Sequence, residues 1–246
     1  MIKKTFLVIF LLIQFSIFAS AQQDTIVILP GSKLVNGSII KPYTNKWKLQ
    51  ISTPEGKVIP RGVWTDYGQI IELENKKYFH RIQDLYGPDM NLNDTWTNMV
   101  ELETLIPVRF STINPTGGFS YYIFEGNKIT GTTNLNVKEK DITIDSIDLD
   151  ENVFDWNLYG MLLVGLPLKN NFIAKLPFYD SATKSLQWLA VHVKEQEQIV
   201  CNNHEFTTWK IDTNKKLTFW ISETAPYVIK LELELKDKAK LVWEVF

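Results

Sequence analysis

The feature that most constrains the fold is a strict alternation of apolar and charged residues near the end of the chain. From residue 227 to residue 236, apolar side chains occupy every odd position, whereas Lys230, Glu232, Glu234 and Lys236 occupy all the even positions after Val228. A period of two places one set of side chains on a buried face and the other set toward water. A helix would scatter these charges around its axis, so the segment predicts a β-strand.

Shorter versions of this pattern recur along the chain. Residues 47–51 and 141–145 alternate in the same way, and the turn residues 125–127 separate two strand-like runs. A second turn, of two residues, is predicted within 201–204. Few helical segments interrupt this series of predicted strands. Consecutive hairpins build antiparallel sheets. The sequence therefore predicts a mainly β protein, either an antiparallel barrel or a curved half-barrel.

One segment, near residues 153–165, favours a short helix instead. Asn152 is a suitable cap, with Asp155 three residues later, and Gly165 and Pro167 suit the end of the helix. The apolar residues that fall on one helical face are Phe154, Leu158, Met161 and Leu162. Because the segment is apolar on most sides, we expect it to be buried, closing the mouth of a barrel or covering one face of a curved sheet.

Residues 1–21 have the three parts of a secretory signal peptide. Lys3 and Lys4 precede an apolar run at 6–18, and Ala19-Ser20-Ala21 forms a small-x-small cleavage site. The apolar run is shorter than the roughly 20 residues that cross a bilayer. No cysteine lies near the cleavage site to accept a lipid. We therefore expect cleavage after Ala21, no later membrane span, and a periplasmic or secreted mature protein.

The mature chain, residues 22–246, is expected to form a single β-rich domain, with a possible internal boundary near 148–152. Hydrophobic residues make up 45% of the whole sequence, which argues against disorder. Loss of Lys3 and Lys4 with the leader reduces the 26 basic residues to 24, against 28 acidic ones. This mild acidity argues against a nucleic-acid-binding protein. The single cysteine excludes a framework of internal disulfides.

Common catalytic and metal-binding motifs are not evident. The three histidines, His80, His192 and His204, have no metal-ligand spacing, and the acidic segment at 148–152 departs from a calcium loop. The sequence has no Gly-x-Ser-x-Gly motif, phosphate-binding loop or dinucleotide-binding fingerprint. We therefore assign no catalytic residue, metal ligand or cofactor, and favour a non-catalytic protein. A glycosidase has no such motif to search for, because its two catalytic carboxylates can lie far apart in the sequence.

Cys201 and His204 are the sharpest pair of reactive side chains. If Asn202 and Asn203 form a two-residue turn, the two become cross-strand neighbours. An adjacent imidazole can lower the pKa of a thiol and activate it as a nucleophile. The alternative, which we favour, is the end of a hairpin, because asparagine tolerates the positive φ angles of such a turn.

Aromatic residues remain the main candidates for a binding site. The candidates on or near the helix and in the last strands are Trp156, Tyr159, Trp188, Trp209 and Trp220. One interpretation is core packing, since aromatic rings bury large apolar areas. The other is an apolar cavity between the sheet and the helix, because small barrels can hold one ligand.

The C-terminal segment resembles a known family. The order of its motifs is 154–159, 162–168, a strand at 172–179, then 207–210 and 219–222 leading to Pro226-Tyr227-Val228. Over residues 150–246 this order resembles an exported bacterial family, domain of unknown function 3108. The resemblance implies a β-rich periplasmic fold without an established activity. A looser likeness to periplasmic lipoprotein carriers, which are half-barrels capped by helices, is an analogy of fold only.

Three functional hypotheses follow. The leading one is a non-catalytic extracytoplasmic protein that binds an apolar or lipid-like ligand, or a protein partner in the cell envelope. The second is a secreted, glycan-directed hydrolase whose carboxylates are scattered over several strands. The third is an interaction scaffold with a solid core. Nucleic acid is not an expected partner.

Overall fold

The computed structural model describes residues 25–115, 117–134 and 142–246. Strands dominate these residues, as the alternation predicts. The strands are β1 (Ile26–Val27), β2 (Tyr43–Ser52), β3 (Val58–Leu73), β4 (Lys76–Tyr86), β5 (Leu92–Glu101), β6 (Pro107–Asn114), β7 (Gly118–Glu125), β8 (Lys128–Asn134), β9 (Thr143–Asp148), β10 (Phe154–Asp155), β11 (Ile173–Asp180), β12 (Ser185–Cys201), β13 (His204–Thr213), β14 (Leu217–Ile221), β15 (Val228–Glu234) and β16 (Lys240–Val245). The one α-helix described is α1 (Tyr159–Val164), and short 3-10 turns cover Gly37–Ile39 and Trp156–Leu158.

All the strands belong to one large sheet, and its order explains how the two halves of the chain join. Strands β2 to β9 form consecutive antiparallel hairpins, and so do strands β11 to β16. The last strand, β16, pairs with β2, with Trp243 opposite Leu49. The short strands β1 and β10 add to β11 in parallel. The strands before and after residues 148–152 therefore belong to one sheet, joined through the pairing of β16 with β2.

The sheet curls but does not close, which confirms the half-barrel alternative. Within the described residues, no backbone ladder joins β9 to the opposite edge of the sheet. Side chains meet across this gap instead: the rings of Tyr122 and Tyr179 are 5.4 Å apart in an edge-to-face arrangement. Lys184 and Asp145 form an ion pair of 2.6 Å across the same gap. Side-chain packing thus brings the two edges together without a shared hydrogen-bond ladder.

The predicted buried helix is present but shorter than 153–165. Residues 154–155 pair with β11 as strand β10, so the helical segment begins only at Trp156. Asn152 does not cap it, because the residue before α1 is Leu158, which makes no side-chain capping bond. Gly165 has a φ of −75° and is not left-handed. Pairing with β11 replaces the local capping preference, since tertiary contacts override weak helical propensity.

The helical segment lies inside the curved sheet. Leu158, Met161, Leu162 and Leu163 are at most 1% exposed and belong to the main hydrophobic core. That core also contains inward-facing residues from β2, β4, β11, β12 and β14. The helix therefore covers the interior of the sheet, as its apolar composition predicts.

A β-bulge modifies the alternation that predicted β15. Trp220 pairs with Lys230, but Ile221 pairs with Val228, so Ile229 is an extra residue. Val228 and Leu231 have opposite parity in the sequence, yet both line the same cleft. A bulge changes which side chains share a face because it inserts one residue on one strand only.

The two predicted hairpin turns are confirmed. Gly126 has a φ of 67° between β7 and β8. Asn202 and Asn203 have φ angles of 47° and 64°, and Cys201 pairs directly with His204. The predicted strand at 141–145 is represented by β9, which begins at Thr143; residue 141 lies outside the described residues.

Candidate functional site

A small cleft lies between α1 and the inner face of the sheet, open on one side. Its volume is about 70 Å³. The lining residues are Trp47, Trp64, Arg81, Gln83, Asn157, Gly160, Phe219, Val228, Leu231 and Trp243. Most of these are aromatic or aliphatic, and the polar ones lie at the side of the cleft formed by β4 and the 3-10 turn. A concave apolar surface with a few polar groups is the usual form of a small-molecule site.

The tryptophans reach the cleft from three neighbouring strands. Trp47 on β2 pairs directly with Trp64 on β3, and their rings are 6.4 Å apart in an edge-to-face arrangement. Trp243 on β16 lies 6.2 Å from Trp64 between ring centroids. Behind them, Trp96 stacks on Trp64 at 5.0 Å. Such aromatic contacts restrict the rings and give the cleft a firm wall.

The polar side of the cleft contains a buried ion pair. The Arg81 guanidinium donates two hydrogen bonds to the Asp66 carboxylate, from Nε to Oδ1 and from Nη2 to Oδ2, each 2.9 Å. The Tyr43 hydroxyl also donates to Asp66, at 3.0 Å. Burial lowers the pKa of Arg81, but the Asp66 charge more than offsets this and the net shift is upward. The arginine is therefore fully charged, and its charge is matched by Asp66.

Asn157 ties the helical segment to this polar group. Its backbone carbonyl accepts from Arg81 Nη1 at 3.1 Å. Its side-chain amide donates to Gln83 Oε1 at 3.2 Å and to Asn98 Oδ1 at 3.1 Å. A single residue of the 3-10 turn therefore contacts both β4 and β5, which positions α1 over the sheet.

Asp155 completes the network just outside the cleft lining. Its Oδ1 accepts from the Asn157 backbone N–H at 3.0 Å, and its Oδ2 accepts from the Asn98 amide. Burial raises the pKa of Asp155 to about 7, and these hydrogen bonds and the charge of Arg81 offset only part of that shift. The carboxyl group therefore gains or loses its proton near neutral pH while it joins the helical segment to β5.

Two tryptophans of the cleft have buried indole N–H groups without a hydrogen-bond partner among the described residues. They are Trp64 and Trp243. The third, Trp47, donates to the backbone carbonyl of Val228 at 3.0 Å. Buried donors are nearly always bonded in native proteins, so each exception calls for a physical explanation.

The tryptophans selected from the sequence lie elsewhere. Trp156 packs edge-to-face on Phe178 at 5.7 Å, and Trp188 on β12 is 37% exposed. Trp209 donates from Nε1 to Glu223 at 3.1 Å. Trp220 donates to Glu197, and the Lys230 ammonium lies 4.7 Å from its ring centroid. None of these four is among the residues that line the cleft.

Tyr159 is the first residue of α1. That Trp156, Tyr159, Trp188, Trp209 and Trp220 contact a ligand stays a prediction. The structure instead brings together Trp47, Trp64, Trp243 and Arg81, which sequence reasoning missed as a group. Alternation at 47–51 indicated a buried face for Trp47, but no local signal linked it to Trp243.

The pair formed by Cys201 and His204 has the predicted register but not the environment of a nucleophile. Cys201 is 2% exposed, whereas His204 is exposed. Burial, together with the nearby Glu244 carboxylate, raises the pKa of the thiol to about 11. A raised pKa disfavours the thiolate, which is the nucleophilic form. The structure thus favours the end of a hairpin over a reactive thiol.

The described residues contain neither a metal-binding cluster nor a membrane-spanning helix. Within 25–115, 117–134 and 142–246, no three side chains of His, Cys, Asp or Glu come together in a way that could hold a metal ion. In the described part of the chain, no helix has the length and apolar character to cross a bilayer.

Fold and cleft together define a mainly β protein with an open, curved sheet around one short helix and an aromatic cleft. The chain belongs to the family described as "Protein of unknown function (DUF3108)", whose model matches residues 62–242. The match covers about three quarters of the chain and reaches well before residue 150, where the resemblance seen in the sequence begins. It includes Trp64 and Arg81 of the cleft.

No curated protein matches this chain. Among solved structures, the chain is similar to a protein described as a "putative lipoprotein" from Parabacteroides distasonis ATCC 8503. The sequence identity is 9%, the TM-score is 0.32, and the alignment covers 87% of this chain and 100% of that one.

Proposed function

We propose that this protein is a non-catalytic, extracytoplasmic binding protein that holds the end of an apolar small molecule in the cleft. The observation that carries the proposal is the apolar wall that Trp47, Trp64 and Trp243 form together with Val228 and Leu231 of the neighbouring strand β15. Burial of apolar ligand surface against such a wall is favourable because it removes that surface from water.

The polar residues of the cleft support binding over catalysis. Arg81 is bound to Asp66, and the Asn157 amide is shared between Gln83 and Asn98. These groups hold one another and position the helical segment. Catalytic acids and bases need access to the substrate. Asp155, whose pKa lies near 7, is bound to Asn98 and Asn157 and is not among the lining residues.

The extracytoplasmic location rests on the features of residues 1–21: a basic start, an apolar run and a small-x-small site. Within the cell envelope, apolar molecules are abundant, and a protein with an aromatic cleft could bind one of them or present it to an envelope partner.

The test combines two measurements on residues 22–246. Native mass spectrometry of protein purified from a bacterial envelope should reveal a bound apolar molecule. The uncharged fluorescent probe 1-N-phenylnaphthylamine should increase in emission when the protein is added. Absence of both signals would reject the binding function.

A matched pair of variants assigns the signal to the cleft. Leu231 and Leu233 lie on the same strand with the same parity, and both are partly buried, but only Leu231 lines the cleft. Leu231→Trp should fill the opening and reduce probe binding at least tenfold. Leu233→Trp should leave probe binding unchanged. Equal loss in both variants would place the probe elsewhere.

A further inference from the structure

The side-chain amides of Gln83 and Asn157 give the cleft one free hydrogen-bond donor and one free acceptor. Asn157 Nδ2 donates to Gln83 Oε1 at 3.2 Å, which leaves Gln83 Nε2 and Asn157 Oδ1 without a partner among the described residues. We propose that these two atoms bind a hydroxyl group, so that the ligand of the cleft is an aliphatic alcohol. This inference rests on the proposed binding function and names the class of ligand.

Both free atoms are accessible from the cleft. Gln83 and Asn157 are lining residues, and Gln83 lies on the same inner face of β4 as Phe79 and Arg81. Gln83 is 4% exposed, so the little surface it keeps faces the cleft that it lines. Neither its Nε2 nor Asn157 Oδ1 is among the side-chain atoms that are fully buried without a partner, in contrast to two indole nitrogens of the wall. A ligand atom can therefore reach both.

The two free atoms are close together because the amides that carry them are bonded to each other. Nitrogen and oxygen of one amide are about 2.2 Å apart. Since 3.2 Å separates Asn157 Nδ2 from Gln83 Oε1, the free donor and the free acceptor are at most about 8 Å apart. A hydroxyl group spans such a distance directly or with one bridging water.

The orientation of the amides follows from Asp155. Its carboxylate accepts from Asn98 Nδ2, so Asn98 Oδ1 is the acceptor for Asn157 Nδ2. The same nitrogen donates to Gln83 Oε1. A proton on Asp155 would reverse the series, and the cleft would then present Asn157 Nδ2 and Gln83 Oε1, again one donor and one acceptor. A hydroxyl group matches either arrangement because it both donates and accepts.

Other polar groups match the cleft less well. An ether accepts from Gln83 Nε2 but leaves Asn157 Oδ1 without a donor, and a polar atom that loses water without gaining a partner costs free energy. A charged group is disfavoured too, because Asp66 already matches the charge of Arg81 and all three guanidinium nitrogens donate hydrogen bonds. Burial of an unpaired charge is strongly unfavourable.

The size of the cleft sets the scale of a probe. A volume of about 70 Å³ holds the equivalent of about two water molecules, each with a share of roughly 30 Å³. A hydroxyl is the smallest group that both donates and accepts, and it leaves space for the first carbon atoms beside the tryptophans. The remainder of a longer alcohol would extend through the opening. A short alcohol is therefore a sufficient test molecule.

The experiment titrates the ¹⁵N-labelled protein, residues 22–246, with four probes of similar size. These are 1-butanol, its isomer methyl propyl ether, butanoate and butylammonium. 1-Butanol should bind at least about fivefold more tightly than each of the others, as expected when one more hydrogen bond is made at a partly buried site. Its binding should shift the side-chain amide resonances of Gln83. The amide resonances of Gln69, which is exposed on β3, should stay unchanged.

A matched pair of glutamine variants assigns the hydrogen bond. Gln83→Met keeps a side chain of similar length but removes the donor, so it should weaken 1-butanol binding at least about threefold. Gln69→Met is the control, because Gln69 bonds to His80 and does not line the cleft. It should leave binding unchanged. A dispersed amide spectrum verifies that each variant is folded, and the comparison of probes on wild type tests the inference independently of the variants.

The outcomes distinguish this inference from the proposed function. If methyl propyl ether or a charged probe binds as tightly as 1-butanol, the cleft does not recognise a hydroxyl, and the inference is wrong while the function stands. Wild-type affinity of Gln83→Met for 1-butanol has the same meaning. So does binding of 1-N-phenylnaphthylamine without binding of 1-butanol. If that fluorescent probe also fails to bind and native mass spectrometry reveals no bound molecule, the proposed function itself fails.

Discussion

Arg81 on β4 and Asp66 on β3 form a bidentate ion pair with both N–O distances at 2.9 Å, and their side chains are 5% and 0% exposed. The pair lies between the cleft and the 3-10 turn, since Arg81 also donates to the carbonyl of Asn157. It is therefore the point at which the sheet, the helical segment and the cleft meet.

Removing one member of this pair should strongly destabilise the protein. Arg81→Met leaves Asp66 buried without its counter-charge, and we expect a loss of about 3–5 kcal/mol in the free energy of unfolding. Urea denaturation at pH 7 measures it. Lys216→Met is the control, because Lys216 pairs with Glu234 on the surface and such pairs contribute less than about 1 kcal/mol. Similar losses in both variants would contradict a special role for the buried pair.

Asp155 should make stability fall as pH rises toward neutrality. Its pKa is raised to about 7 in the folded protein, against 3.8 ordinarily, so between these values the folded state keeps a proton that the unfolded state has released. Its stabilising contribution is complete below about pH 4 and is lost as pH rises through about 7, at up to about 1.4 kcal/mol per pH unit.

The measurement compares wild type with Asp155→Asn by urea denaturation at pH 4.5, 6 and 8. Other carboxyl groups titrate in both proteins, so the informative quantity is the difference between them, in which wild type should lose stability relative to the variant as pH rises. Asp148→Asn, at an exposed position on β9, should show no such difference. A flat difference for Asp155→Asn would refute the raised pKa.

Cys201 should be unreactive in the folded protein. Burial and the Glu244 carboxylate raise its pKa to about 11, so little thiolate exists at pH 8. The reagent 5,5′-dithiobis(2-nitrobenzoic acid) should modify it far more slowly in buffer than in 6 M guanidinium chloride. Fast modification of the folded protein would restore the reactive-thiol hypothesis.

The turn between β12 and β13 should depend on residues that tolerate a positive φ. Asn203 has a φ of 64°, and a β-branched side chain is strained there. We expect Asn203→Val to lower the free energy of unfolding by about 1–3 kcal/mol. Asn203→Gly should be neutral or slightly stabilising, because Asn-Gly suits this turn type. Equal effects of the two substitutions would show that the turn does not control stability.

Signal peptidase should cleave after Ala21. The expected mature N-terminus is Gln22, and N-terminal sequencing of protein expressed in a Gram-negative host would identify it. Ala21→Arg should block processing and retain the leader, since a large charged residue does not fit the small-x-small site. Processing at the same position in that variant would argue against this site.

Much of the local structure was predictable from the sequence because it follows from short-range patterns. Alternation at residues 227–236 identified β15, and turn residues identified the hairpins at 126 and 202–203. The apolar segment near 158–163 was recognisably a buried helix, although its start was not. Phe154 and Asp155 pair with β11 instead, and no local signal encodes that parallel pairing.

The site itself depends on tertiary structure. Trp47, Trp64, Arg81 and Trp243 are brought together only when β16 pairs with β2, which joins segments nearly 200 residues apart in the chain. The sequence by itself determined several of the strands, such as β2 and β15, and which side chains alternate along them, since both follow from a period of two. Only the folded sheet decided which apolar faces share a cleft, because strand order, the bulge at Ile229 and the buried ion pair all arise from long-range contacts.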